Sequence, residues 1–515
     1  MSEPFYRYHP GAEIGTSLLS EKEKLINSIV SAPQRAIDLL SQKYKLGEKS
    51  DFWDDFIFLV VISPALSKIC SLKSLKDAVN KYSELDHALF LKYIRRDEDP
   101  IRFRRAFWNV NAFGKLLSSR FRQEFCNKFN LSFHSLEEQS QSGTSGINVE
   151  QKYKIAFVFK GGFQLAHAEF FREFLKGSKI FMSRVSITLI LLDDLSSVIS
   201  GVDLNHINVL SFREHDSYGK LHAYYRTALL EKFDHISWIA CVQNLTLYMG
   251  QKLAVSQSYW SMKYHSIIMS SLDKYAGLGF GGDSFDFDDI QWFRGRAFPD
   301  LSLPLCSENR LSFLRHKYQI PVNAVLAGCF VRTEKLNNSD YWILITKLLE
   351  AFPDLHFVIA SQAIPEIAVD YMSRPIFQRR FHHLGWVNTK EWCQCLDLYI
   401  DSFPRGSCLT ALEAIKANVP VIMFDSDHNR ESSALPYLLN ANKNSVPPGI
   451  FQCSDLESIY SCLEILVSSG NARLNLASQQ MKLVEALEGT RSLFAKDYLN
   501  YFLDSSLSLQ EVKSQ

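Results

Sequence analysis

The sequence predicts an α/β protein in which two Rossmann-like domains face a cleft, preceded by an all-α N-terminal domain. Three observations carry that expectation. A long N-terminal stretch shows helical periodicity and almost no strand alternation, and two later stretches each alternate short apolar runs with amphipathic helical segments. At 515 residues the chain also exceeds one ordinary core.

The elements follow in order. Residues 1–135 hold helical segments such as Glu21 to Tyr44 and Leu75 to Tyr93, with no fixed-period repeat, and read as an irregular all-helical domain. LEEQSQSGTSGINVEQ, residues 136–151, is too polar to form a core and reads as a linker. From Lys154, KIAFVFK is a buried-strand run, GGF a turn, Leu165 to Lys176 an amphipathic helix and ITLILL a second strand, which together make a βαβ unit. NVLSF, ISWIACV and the stretch near HSIIMSS extend a parallel sheet to about residue 290, giving a first Rossmann-like domain over 152–300. A second series, AVLAGCFV, LHFVIA, FHHLGW, LDLYID and VPVIMF, gives a second Rossmann-like domain over 301–490. Residues 491–515 are a C-terminal helix and tail, the helical stretch near 485–503 being expected to cross back to the first domain.

Composition narrows the function classes. Hydrophobic residues are 46% and charged residues 22%, as in globular proteins. Lys plus Arg and Asp plus Glu each number 56, so there is no broad basic footprint and no nucleic-acid partner is expected. The first residues contain no apolar signal core, and the longest apolar stretch, Phe56 to Ile62, is too short to cross a bilayer. No stable membrane insertion and a cytoplasmic location are therefore expected. Ten cysteines are scattered, and the one close pair, Cys393 and Cys395, has the wrong spacing for a zinc knuckle or a redox pair, so they read as reduced thiols.

The segment richest in chemistry is LDLYIDSFPRGSCLTALEAIKANVPVIMF, residues 396–424. It reads as strand, loop, helix, turn and strand, with Ser407 placed to cap a helix running to about Ala417. A helix opening at the carboxyl edge of a sheet offers unpaired amides and a positive dipole end, which suit a diphosphate at Ser407, Cys408, Leu409 and Thr410. Glu413, one turn beyond Thr410, has a carboxylate able to accept from vicinal hydroxyls such as those of a ribose. The plainer alternative makes Ser407 only a cap, Thr410 an ordinary helix residue and Glu413 a solvated charge.

This stretch resembles the nucleotide-sugar signature of GT-B glycosyltransferases, in which a strand ending in Asp-x-Phe-Pro leads through a small-residue loop into a helix. Within that superfamily it resembles the soluble protein glycosyltransferases comprising the O-GlcNAc transferases and the HMW1C-type asparagine glucosyltransferases (GT41-like), with Asp401, Phe403, Pro404, Thr410 and Glu413 in the matching stretch. The resemblance implies a UDP-sugar donor, no other cofactor, and a protein acceptor, with a glycan or small-molecule acceptor left open. It implies that Arg332 and Lys335, after AGCFV, present charge to the donor phosphates. It further implies that the loop with Gly385, Trp386 and Val387 holds the base, where Trp386 either stacks or simply packs.

On the acceptor side, His167 follows the Gly161–Gly162 turn and His265 lies in a segment that resembles the acceptor loop of O-GlcNAc transferases; both are candidates for the acceptor-side polar group. The retaining pattern of two glutamates would place a carboxylate at 405, which is Arg405, so inversion is expected. Two rival readings stay open. Asp425 with Asp427, or Asp286 with Asp288, could hold a divalent cation in the manner of GT-A enzymes, or the chain could bind a nucleotide sugar without turning it over.

Overall fold

The computed structural model describes residues 65, 68–69, 71–95, 100–129, 152–160, 165–193, 199, 201–239, 245–261, 269, 271–279, 283–287, 290–426, 429–430, 433–443, 445–452 and 454–503. The linker expected at 136–151, the helix expected at Glu21 to Tyr44 and most of the apolar stretch near HSIIMSS lie outside them. The chain divides into two compact units, one built on Glu3–Leu278, Asp283–Arg294 and Ala495–Gln515, the other on Gly295–Phe494. Each is a Rossmann-like α/β unit.

The first unit opens with helices α1 (Leu75–Arg95) and α2 (Pro100–Lys128). There follow β1 (Tyr153–Phe159), α3 (Leu165–Ser178), β2 (Val185–Leu191), β3 (Ile207–Ser211), α4 (Ser217–Glu231) and β4 (His235–Ile239). It continues with α5 (Leu245–Met249), β5 (Ser256–Trp260), β6 (Lys274–Gly279), β7 (Asp283–Phe287) and β8 (Ile290–Arg296). The sheet order is β3-β2-β1-β4-β5-β6-β8-β7, parallel from β3 through β6, with β7 and β8 antiparallel to each other. The innermost strands read as unbroken apolar runs because a parallel sheet is covered on both faces; Ile155 to Phe159 are wholly buried. On one face α1 and α2 share a continuous core with the sheet, in which Val79, Tyr82, Leu117 and Phe121 meet Tyr224, Tyr225 and Trp238.

The second unit runs α6 (Glu308–Lys317), β9 (Val325–Phe330), α7 (Ser339–Ala351), β10 (Leu355–Ala360), α8 (Glu366–Met372), α9 (Pro375–Arg380) and β11 (Phe381–His383). It continues with α10 (Thr389–Cys393), β12 (Leu398–Ile400), α11 (Leu409–Lys416), β13 (Val421–Asp425), α12 (Leu435–Ala441), β14 (Ile450–Gln452), α13 (Leu456–Ser468) and α14 (Gly470–Glu488). Its sheet, β11-β10-β9-β12-β13-β14, is parallel throughout. Strand order reverses between β9 and β12 here and between β1 and β4 in the first unit, and at such a reversal the connections leave to opposite faces and open a crevice beyond the carboxyl ends.

The closing helix α15 (Leu493–Phe502) packs on the first unit from Ala495 onward, as its expected crossing requires. Tyr498 stacks on Trp260 with ring centroids 4.4 Å apart, and Tyr501 stacks on Phe293 at 4.3 Å. Lys274 Nζ donates to the carbonyls of Tyr501 at 2.8 Å and Leu503 at 3.0 Å, satisfying orphan acceptors at the helix end. Among the described residues no helix is long and apolar enough to cross a membrane.

Candidate functional site

The site grows from the end of β12. Asp401, the first residue beyond the strand, is fully buried, and the loop after it folds around its carboxylate. Asp401 Oδ1 accepts from the Ser402 amide at 3.0 Å, and both its oxygens accept from the Ser407 amide at 2.9 Å. Gly406 passes so close that a Cβ there would collide with Asp401 Oδ2, and its amide donates to Asn429 Oδ1 at 2.5 Å. Glycine at 406 therefore reflects a close approach to a carboxylate.

Lys335 reaches the same loop from the turn after β9, donating from Nζ to the Gly406 carbonyl. Burial pulls its pKa down, while the charge of Asp401 opposes the shift. Burial raises the pKa of Asp401 to about 6, against the pull of the Ser407 amide and Lys335. The lysine and the carboxylate thus favour each other's charged form against burial, without forming a direct ion pair among the described contacts.

Helix α11 starts later than its sequence suggests. Ser407 is not the cap: its amide is held by Asp401 and its hydroxyl accepts from Tyr399 at 3.1 Å, so Cys408 takes the N-cap position without a side-chain cap bond. The amides of Leu409, Thr410 and Ala411 come in the first turn, where a helix supplies no partner, and Cys408, Leu409 and Thr410 are part-exposed. Thr410 is more than an ordinary helix residue. Its Oγ1 donates to the Phe330 carbonyl at 2.8 Å and lies 3.1 Å from the buried Tyr399 hydroxyl, which accepts from the Phe330 amide at 3.1 Å. This network ties the helix opening to the end of β9.

The remaining second-unit candidates border this edge. Glu413 is buried rather than solvated, with Oε2 accepting from Thr389 Oγ1 at 2.7 Å, which fastens α11 to the start of α10. In the loop after β11 Gly385 adopts φ +68°, Val387 is half-buried and Trp386 is 75% exposed, so the packing alternative for Trp386 does not hold. Arg332 opens the turn that carries Lys335 and pairs with Glu334 at 3.2 Å. Asp425 is gripped by Arg430 at 2.6 and 2.7 Å and by Gln452 at 2.9 Å; the Arg430 bonds hold its pKa below the usual carboxylate value. Asp427 and Asp288 lie outside the described residues.

Arg332, Lys335, Trp386, Val387, Ser407, Cys408, Leu409, Thr410 and Glu413 therefore all follow β9, β11 or β12 at one edge of one sheet. The first-unit candidates are not brought to any described site: His167 is the third residue of α3, with its side chain outside the described set, and His265 lies outside it altogether. Sequence reasoning did not single out Tyr399 or Asn429, and named Asp401 only as part of the matching stretch, with no role of its own. Only Asp401 left a signal, an acidic residue directly after an apolar strand.

No protein-family model matches the chain, and no curated protein sequence matches it. Solved structures do. The chain is similar to an O-GlcNAc transferase mutant of Thermobaculum terrenum (13% identity, 93% of this chain and 99% of that one, TM-score 0.45). It is similar to HepE of Anabaena in complex with UDP and glucose (14% identity, 69% and 100%, TM-score 0.45) and to a glycosyltransferase of Rickettsia africae (11% identity, 68% and 100%, TM-score 0.47).

Proposed function

We propose that the protein is a glycosyltransferase that moves a hexose or N-acetylhexosamine from a UDP-sugar to an acceptor, a protein side chain, by a metal-independent inverting route. The observation that carries this reading is the meeting of Lys335 and the open amides of α11 at the strand-order reversal of the second sheet. As the bond between the sugar C1 and the β-phosphate oxygen breaks, negative charge develops on the departing UDP. A lysine and a helix N-terminus stabilise that charge where it appears. Trp386 offers its exposed face to the uracil, and Glu413 lies one turn past Thr410 on the same helix for the ribose.

The acceptor atom forms the new bond to C1 from the opposite side, and its proton passes to a base. His167 is the leading candidate for that base and His265 the second. Arg405 occupies the place where the retaining pattern would put a carboxylate, which favours inversion.

The test is mass spectrometry of proteins co-expressed with this chain, which should carry added hexose or N-acetylhexosamine, with activity surviving EDTA. Nucleotide-sugar binding without transfer or hydrolysis would reassign the chain as a binding module. Loss in EDTA restored by Mn²⁺ would overturn the metal-independent route.

A further inference from the structure

A second cluster of charge sits at the carboxyl edge of the first sheet. Lys160, immediately after β1, and Lys220, in the first turn of α4, both bind Asp193, two residues beyond β2. Lys160 Nζ is 3.0 Å from Asp193 Oδ2 and Lys220 Nζ is 2.6 Å from Asp193 Oδ1. The side chains are 8%, 14% and 25% exposed respectively for Lys160, Lys220 and Asp193, and Lys160 Nζ also lies 5.9 Å above the Tyr248 ring. The nearest acidic residue on α4's own N-terminus, Asp216, is engaged by the Gly219 amide, Asn80 and Lys76.

Among the described residues, two ammonium groups around one carboxylate leave one positive charge in a largely dehydrated place. Such an excess is unfavourable unless something compensates it. Each ammonium has three donors, and one carboxylate cannot occupy six. The position adds weight: β1 is one of the two strands at which this sheet's order reverses, where a crevice opens beyond the strand ends.

We propose that the first unit has an oxyanion site of its own, built by Lys160 and Lys220 around Asp193, which takes a phosphate or carboxylate group of a substrate. Assigning that group to the acceptor rests on the transferase reading; the binding of an anion does not. One monoanionic oxygen group neutralises the cluster and gives both ammoniums further acceptors.

The test uses the full chain carrying Lys335→Ala, so that phosphate near α11 is kept out of the result and failure of the donor assignment leaves it untouched. Thermal midpoints are compared in sodium phosphate, sodium acetate and sodium chloride at equal ionic strength. Phosphate or acetate is expected to raise the midpoint by about 2 °C over chloride. That rise disappears in Lys160→Gln and in Lys220→Gln, and grows in Asp193→Asn, where the resident competitor is gone. A rise with acetate equal to that with phosphate assigns a carboxylate, and a rise with phosphate alone assigns a phosphate. No rise with either anion, or an equal rise in parent and Lys220→Gln, overturns the proposal. Lys220 is the more exposed of the two lysines, so its variant keeps the test decisive if Lys160→Gln fails to fold.

Discussion

At the edge of β9 and β12 one lysine, Lys335, is set against one buried carboxylate and an open helix; at the edge of β1 and β2 two lysines share one carboxylate. The strand orders are the same through the first six strands, so topology alone did not fix how each edge handles charge. The difference lies in where the acid stands. Asp401 follows its strand directly and spends its lone pairs on loop amides, shaping the backbone that presents α11. Asp193 stands beyond its strand and meets lysines, so it adjusts charge at its edge.

If Asp401 shapes its loop, removing it should have the largest effect in the molecule's second unit. Asp401→Ala leaves the Ser402 and Ser407 amides without their acceptor and Lys335 without its counter-charge. A loss of about 3–5 kcal/mol is expected in urea unfolding. A loss below about 1 kcal/mol would make the two edges alike and remove the contrast.

Next in size, if the proposed transfer holds, is the effect of Lys335 on turnover. Removing one group that stabilises leaving-group charge should lower kcat by roughly a hundredfold, about 3 kcal/mol, at saturating UDP-sugar. Full activity in Lys335→Ala would take the second edge out of the chemistry.

Titration sharpens the comparison further. Asp401 has a folded pKa of about 6 against an ordinary value of 3.8, so between these pH values the folded chain holds a proton that the unfolded chain has lost. Stability from this group is therefore complete below about pH 4 and declines as pH rises through 6, by about 3 kcal/mol. His382 in the same unit acts in the opposite sense: burial first, then His356 3.0 Å away, depresses its pKa to about 4, so its contribution is lost as pH falls from 6.5. Unfolding curves of Asp401→Asn should lose the first slope, and those of His382→Asn the second. An unchanged pH profile in Asp401→Asn would show that the carboxylate does not titrate in this window.

Much of the fold was legible in the sequence because buried parallel strands leave unbroken apolar runs. LHFVIA coincides with β10, LDLYID encloses β12, and VPVIMF covers β13 except its last residue, Asp425. Lys274–Gly279 was missed because its glycines imitate a turn, and Ile450–Gln452 because three residues make no pattern. The site was legible at the level of the segment. Its wiring was not: Lys335 meets a carbonyl 71 positions away, and Thr410 meets one 80 away. The misplaced cap has the same origin. Local rules favour serine before a helix, but a carboxylate six residues earlier claims the Ser407 amide and moves the first turn on by one residue.

The smallest expected effect isolates recognition from folding. Trp386 is exposed and packs against little, so Trp386→Ala should change stability by no more than about 0.5 kcal/mol. Stacking of a base on an aromatic ring contributes about 1–3 kcal/mol, so UDP affinity should fall by about tenfold if the uracil lies on Trp386. The ring itself reports the contact, because stacking alters indole fluorescence. UDP should change the emission of the parent chain, and the part of that change due to Trp386 should vanish in the variant. Isothermal titration with UDP and with free inorganic pyrophosphate then divides the site. Pyrophosphate lacks the base, so its affinity should be equal in the parent and Trp386→Ala. Equal UDP affinity in both chains would leave Trp386 as an exposed surface residue and move base recognition away from the loop that follows β11.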